Sequence, residues 1–370
     1  MSRLGIQVRD WMWRLKQNQR AQIVGVVVIL VVLGSAVGTA LAFWFTQRPV
    51  SSVSSSVNWN QNTHTSAGPR RLLDGVFVDS EQAAAVLPVS IMIENLSTVR
   101  PQHGLGQASV VYEALTEGGI TRFMAVYAGA GEMSSMGPVR SSREYFVDWA
   151  DEYGGVYVHV GGSPAALEHL STDQKIVDLN QIGGDQIYFW RDSAVAAPHN
   201  LFTSSEKMAF AMRDYLGEQP VASVEPWVFK ADAKKEDRPS GDHHVQIDFS
   251  SDSYAVDWKY ERKTNTYVRS NGGEEQIDQL TNQPLRAHTV VVQFVSTSLV
   301  DQATGRLEMQ TVGTGQAAVF LDGQRIDGTW KKVDDSARTR FYTNQGAEVP
   351  FNAGTIWIEV VPDDREIIST

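Results

Sequence analysis

The chain has 370 residues, enough for about two domains of ordinary size. Its 32 Lys+Arg stand against 43 Asp+Glu, a net charge of −11, which argues against a general nucleic-acid binder, because sequence-independent affinity for nucleic acid needs clustered cations. There is no cysteine, so disulfides, thiolate metal sites, cysteine nucleophiles and a lipid carried on a cysteine are all excluded for this sequence.

Residues 1–20 hold Arg3, Arg9, Arg14, Lys16 and Arg20 against one acid, Asp10, and an uncharged, mostly apolar run of 25 residues follows at 21–45. About 20 such residues span a bilayer. With the cations ahead of the run, the positive-inside rule predicts a cytoplasmic tail at 1–20, one transmembrane helix at 21–45, and everything from 46 to 370 outside the membrane. A cleaved signal peptide competes with this reading, but its apolar core is shorter, and Phe43-Trp44-Phe45 suits an interfacial anchor. Residues 46–70 are rich in Ser, Thr and Asn and read as a flexible linker.

Residues 71–222 mix strand and helix signals and predict an α+β or mixed α/β domain. Strands are expected at 87–93, 110–115, 120–127 and 156–160. Read as a two-residue hairpin turn, Gly118-Gly119 sets Glu113 opposite Met124 and gathers Glu113, Glu117 and Arg122 on one strand face. Helices are expected after the capping-box pairs Ser141/Glu144 and Thr203/Glu206, and after Ser163-Pro164. Arg140 and Arg143 flank the first of these starts, where the helix dipole disfavours cations. Either a bound anion or nearby carboxylates must compensate them. Residues 222–241 are charged and contain proline, a plausible junction. Residues 223–370 then carry many short strand-like runs separated by turn residues, the pattern of a β-rich antiparallel sandwich or barrel.

Three stretches, RPQHGLGQASVVYEALTEGGITRFMAVY (100–127), GPVRSSREYFVDWADEYGGVYVHVGGSP (137–164) and APHNLF (197–202), resemble the YerB-like family of bacterial envelope proteins, as does GTWKK…TRFYTNQGAEVPFNAGTIWIEVVP downstream. The family's two halves are domains of unknown function, DUF3048 N- and C-terminal. The resemblance covers 71–370 and implies a bacterial, outward-facing, membrane-tethered protein with no established chemistry. Lacking a cysteine, this chain would depend on residues 21–45 as its membrane anchor.

The polar residues concentrated in these motifs give a candidate anion site: Arg100, Glu113, Glu117, Arg122, Arg140, Arg143, His159, His199 and Asn200. Its ligand would be a cell-wall glycopeptide or anionic polymer, and binding or regulation of the envelope is the leading function. One alternative is a cell-wall hydrolase using Glu113 with Glu117, or His159. Another is a scaffold for a second membrane protein. A third possibility is purely structural: the two glutamates simply neutralise Arg140 and Arg143. His159, His169 and His199 show no metal-ligand spacing, and no phosphate loop or serine-nucleophile motif occurs, so neither metal nor cofactor is expected.

Overall fold

The structure, a computed structural model, describes residues 68–128, 131–217 and 224–370. The expected tail at 1–20, the membrane span at 21–45 and the linker up to residue 67 lie outside the described residues. Among the described residues no helix is long and apolar enough to cross a membrane. Ser66–Thr370 form one compact unit.

In chain order its main strands are β1 (Val89–Glu94), β2 (Val110–Leu115), β3 (Thr121–Tyr127), β4 (Gly155–His159), β5 (Ile176–Asn180), β6 (His244–Asp248), β7 (Ala255–Glu261), β8 (Thr266–Asn271), β9 (Thr289–Val295), β10 (Gly313–Leu321), β11 (Gln324–Lys332), β12 (Arg340–Thr343) and β13 (Ile356–Pro362). The helices that matter here are α1 (Glu81–Ala84), α2 (Glu144–Asp151), α3 (Pro164–Thr172) and α4 (Ser205–Leu216).

Ten strands make one mixed sheet in the order β12-β11-β10-β9-β13-β2-β3-β1-β4-β5. The expected halves meet inside it, because β13 of the second half pairs in parallel with β2 of the first, Val110 beside Ile356 and Glu113 beside Glu359. The β-rich expectation for the second half holds, but its strands do not close on themselves. β9 to β13 extend the sheet begun by β1 to β5, while β6, β7 and β8 form a second, antiparallel sheet that the C-terminal strand Ile367–Ser369 joins. The central strands are buried on both faces, which accounts for their nearly continuous apolar runs.

One face of the large sheet packs on the small one. Trp258 of β7 stands edge-on to Trp357 of β13 at 5.1 Å, and Phe123 of β3 meets Trp357 at 5.4 Å. The other face receives α2, where Trp149 stacks on Tyr112 of β2 at 5.2 Å. Trp330 and Trp357 are core residues, as their apolar bulk suggests.

The β2–β3 register differs from expectation by one residue. Glu113 pairs with Phe123 and Ala114 with Arg122, because the connection is not a two-residue turn. Residues 117–119 form a single 3-10 turn with Gly118 at φ 70° and Gly119 at φ 72°, closed by Thr116 N–H donating to Ile120 O at 2.7 Å. A one-residue slip turns every side chain to the other face. Glu113 therefore points toward the small sheet with Phe123, and Arg122 points to the helical side.

Candidate functional site

Residues 137–164 supply most of the lining of one cleft. The segment after β3 and the turn after β4 lie side by side, joined by Val160 N–H to Arg140 O (3.2 Å), Ser142 N–H to Gly161 O (2.9 Å) and Ser163 N–H to Ser142 O (3.1 Å). This places the start of α2 beside that of α3. Between them opens a cleft of about 370 Å³ lined by Glu117, Ser141, Arg143, Ser163, Pro164 and Arg306, among others. Ser163 caps α3, its hydroxyl accepting from Ala166 N–H, and Pro164 occupies the first helical position.

The capping box expected for α2 does not form. Arg143 is itself the N-cap, with no side-chain cap bond, and the helix begins at Glu144. The Ser141 hydroxyl is turned to the guanidinium groups instead, accepting from Arg143 Nη1 at 3.3 Å and lying 3.5 Å from Arg122 Nη1.

Arg143 grips Glu117 with both prongs of its fork, Nε to Oε1 at 2.6 Å and Nη2 to Oε2 at 2.5 Å, and donates to Ser142 O at 2.6 Å. Burial alone would raise the Glu117 carboxyl, but the Arg143 bonds and charge outweigh it and hold the group below the usual carboxylate range. Behind Ser141 lies Arg122, 7 % exposed, which donates to Ser141 O at 2.6 Å and has no carboxylate ion pair among the described residues. Burial, and next the charges of Arg143 and Arg140, bring it down to about 10. The helical side of β3 therefore holds a desolvated cation that the protein only partly compensates.

The other candidate residues do not join this cleft. Glu94, at the end of β1, is bracketed by Arg140 (3.3 Å) and His199 Nδ1 (2.9 Å). Asn200 accepts from Arg191 at 2.9 Å and donates to Asp192 O at 3.0 Å. His159 is fully buried with both ring nitrogens occupied, Nδ1 2.8 Å from Gly161 O and Nε2 2.6 Å from Asp178 Oδ1.

Glu113 is sealed between the two sheets. Its Oε1 accepts from Asn95 Nδ2 at 3.0 Å, and its Oε2 pairs with Arg269 of β8. Arg100 reaches the same network from its edge, donating to Asn95 Oδ1 at 2.9 Å and lying over the Tyr254 ring, with burial lowering its basicity. Arg269 is fully enclosed by Phe123, Trp258 and Trp357. Glu359 lies 3.8 Å from it and accepts from Trp258 Nε1 at 2.7 Å, and burial followed by the Glu113 charge raises its carboxyl well above the ordinary value. Nine candidates thus divide among the cleft, the Glu94 cluster, a loop anchor, a structural histidine and a core ion pair. Glu113 and Glu117, on different sides of the sheet, cannot flank one glycosidic bond.

The DUF3048 N-terminal domain, a protein family of unknown function, matches residues 73–216, and the DUF3048 C-terminal domain matches residues 245–358. A curated relative from Bacillus subtilis (strain 168), "Putative lipoprotein YerB", is 31% identical over 280 residues, which is 75% of this chain and 81% of the relative. The chain belongs to the YerB-like family. The crystal structure of the YerB protein from Bacillus subtilis has the same fold, with a TM-score of 0.70 at 29% identity over 81% of this chain and 99% of that one. In this family member, sequence reasoning missed Arg306, which lines the cleft from the hairpin of residues 297–309, and Arg269 with Glu359. Arg306 carries no local signal, since it sits in an ordinary exposed hairpin. Arg269 could have been suspected: in the alternating strand TYVRSN it occupies the inward position that Tyr267 also takes.

Proposed function

We propose that this YerB-like protein is an extracytoplasmic, membrane-tethered envelope protein that binds an anionic ligand, bearing a carboxylate or phosphate, in the cleft between Arg143 and Arg306. The observation that carries the reading is Arg122: a buried guanidinium bonded to the carbonyl of the cleft residue Ser141, with no carboxylate ion pair among the described residues. Buried charges are normally paired, and an anion bound in the cleft would offset this one from across Ser141. The cleft lining adds Arg143, paired with Glu117, and Arg306, which lies 3.9 Å from Asp301, together with the N-terminal end of α3. The location rests on the apolar run at 21–45 and on the lipoprotein name of the Bacillus relative. A cell-wall glycopeptide or an anionic wall polymer has the required chemistry.

Calorimetric titration of the full chain in detergent with muropeptides and, separately, with a phosphate-bearing polymer tests this. Binding is expected to weaken about tenfold or more in Arg306→Ala and Arg143→Ala, the scale of one charge-assisted bond. Absence of binding, or binding indifferent to both changes, sinks the proposal. The scaffold reading has one observation in its favour, the exposed Leu299 and Val300 on the hairpin that also carries Arg306. Crosslinking in cells from that hairpin would separate the two.

A further inference from the structure

The C-terminal ends of α2 and α3 meet at the far end of α3 from the cleft, about 13 Å away by helix rise. Each end is the negative pole of a helix dipole, where cations are favoured and carboxylates are not. α2 nevertheless has no basic residue in its last turn and carries Asp148 and Asp151 there, while Asp173 is the C-cap of α3. His169, in the last turn of α3, stands among them, with Nε2 3.3 Å from Asp151 Oδ2 and Nδ1 3.4 Å from Asp148 Oδ1.

A convergence of acids is common on protein surfaces and means little alone. Here two of its oxygens are buried and unsatisfied. Asp151 is 8 % exposed, and its Oδ1 has no hydrogen-bond partner. Asp173 Oδ2 is buried without a partner too, although Asp173 Oδ1 accepts from Lys175 N–H at 2.6 Å. One ligand atom from each of Asp151, His169 and Asp173 lies within 4.8 Å of the others. Two ionised carboxylates cannot donate to one another, so either one proton shared between them or a bound cation must lie there. Lys332 is not that cation. Its ammonium is spent on Glu152 Oε1 and the carbonyls of Asp148, Asp335 and Ala337.

We infer that Asp151, His169 and Asp173 hold a divalent metal ion, with Asp148 orienting the imidazole from behind. One imidazole nitrogen and two carboxylate oxygens form a donor set of intermediate hardness that suits Zn²⁺ or Mn²⁺. Asp148 beside Nδ1 leaves Nε2 to face the ion, and Asp148 is itself fixed by Thr311 Oγ1, which donates to its Oδ2 at 2.6 Å. Three protein ligands leave coordination positions open to water. The site shares no residue with the cleft, so it stands or falls independently of ligand binding there.

The test strips the full chain in detergent with a chelator, dialyses it against Zn²⁺ or Mn²⁺, and counts metal per chain by elemental mass spectrometry alongside thermal unfolding. One ion per chain and a chelator-reversible rise in the unfolding midpoint are expected. His169→Gln and Asp173→Asn each change a partly exposed side chain, and each should weaken uptake tenfold or more. Their metal-free midpoints report whether they fold. No metal uptake by the parent chain overturns the inference, and so does uptake that both variants leave unchanged. A proton shared by the two carboxyls in place of a metal would show as no uptake with a higher midpoint in Asp173→Asn, which overturns it as well.

Discussion

Arg269 and Glu113, 156 residues apart in sequence, form an ion pair whose side chains are both fully buried between the two sheets. Glu359 stands beside them, its carboxyl raised well above the ordinary value by burial and by the Glu113 charge, so one guanidinium faces two carboxyl groups away from water. Removing one member of a buried pair strands the other in a low dielectric. Arg269→Met should therefore destabilise the protein by about 3–5 kcal/mol in denaturant unfolding. The double change Arg269→Met with Glu113→Gln should cost clearly less than the sum of the single changes. Additive losses would mean that the two residues act separately.

The ion pair between Arg143 and Glu117 makes a prediction about pH. The Glu117 carboxyl is held below its ordinary value in the folded protein, so its contribution is fully present above the unfolded value and disappears as pH falls through the folded one. The stability difference between the parent chain and Glu117→Gln should then be about 1 kcal/mol near neutrality and shrink between about pH 5 and pH 3. A difference that stays constant across that range would mean that the carboxylate charge contributes nothing.

Gly155, at the start of β4, has φ +79°, and a Cβ there would lie 2.2 Å from Pro88 O. That carbonyl accepts from Val156 N–H at 3.1 Å, where β4 aligns with β1, so the clash strikes the joint between the sheet and the cleft-forming segment. Gly155→Ala combines left-handed backbone strain with steric overlap and should cost about 2–4 kcal/mol in thermal or denaturant unfolding. Gly118→Ala, with a similar φ but open space around it, should cost only about 1 kcal/mol.

Much of the fold can be read from local pattern. β2, β3 and β4 fall within a residue or so of their expected places, because alternating or continuous apolar runs end at glycine turns. β5 escaped notice because IVDLN is short and carries an acid, and Ile367–Ser369 because it is short and close to the chain end. The joining of β13 to β2 has no local trace: parallel partners far apart in sequence share no turn that could announce them. The same limit applied to the cleft. Arg143 is visible as a cation misplaced at a helix start and Glu117 as an acid of the hairpin, but Arg306 enters only because a hairpin distant in sequence lines the same cleft. The Glu113–Arg122 face was lost to a one-residue register slip, which no composition argument could have caught.

Arg122 and Arg269 are both buried arginines, and their difference is the sharpest test of which one serves a ligand. Arg269 is answered by a buried carboxylate and enclosed by aromatic rings; Arg122 is answered by the carbonyl of Ser141 and its hydroxyl. Burial and the neighbouring arginines lower the Arg122 basicity to about 10, so keeping it charged costs free energy. Arg122→Met keeps the apolar stem and removes that charge. It should change unfolding stability by less than about 1.5 kcal/mol, and in the stabilising direction where the methionine packs well. The same variant should lose anion binding in the calorimetric titration. A loss of about 3–5 kcal/mol, as for Arg269→Met, would instead assign Arg122 to holding the fold together.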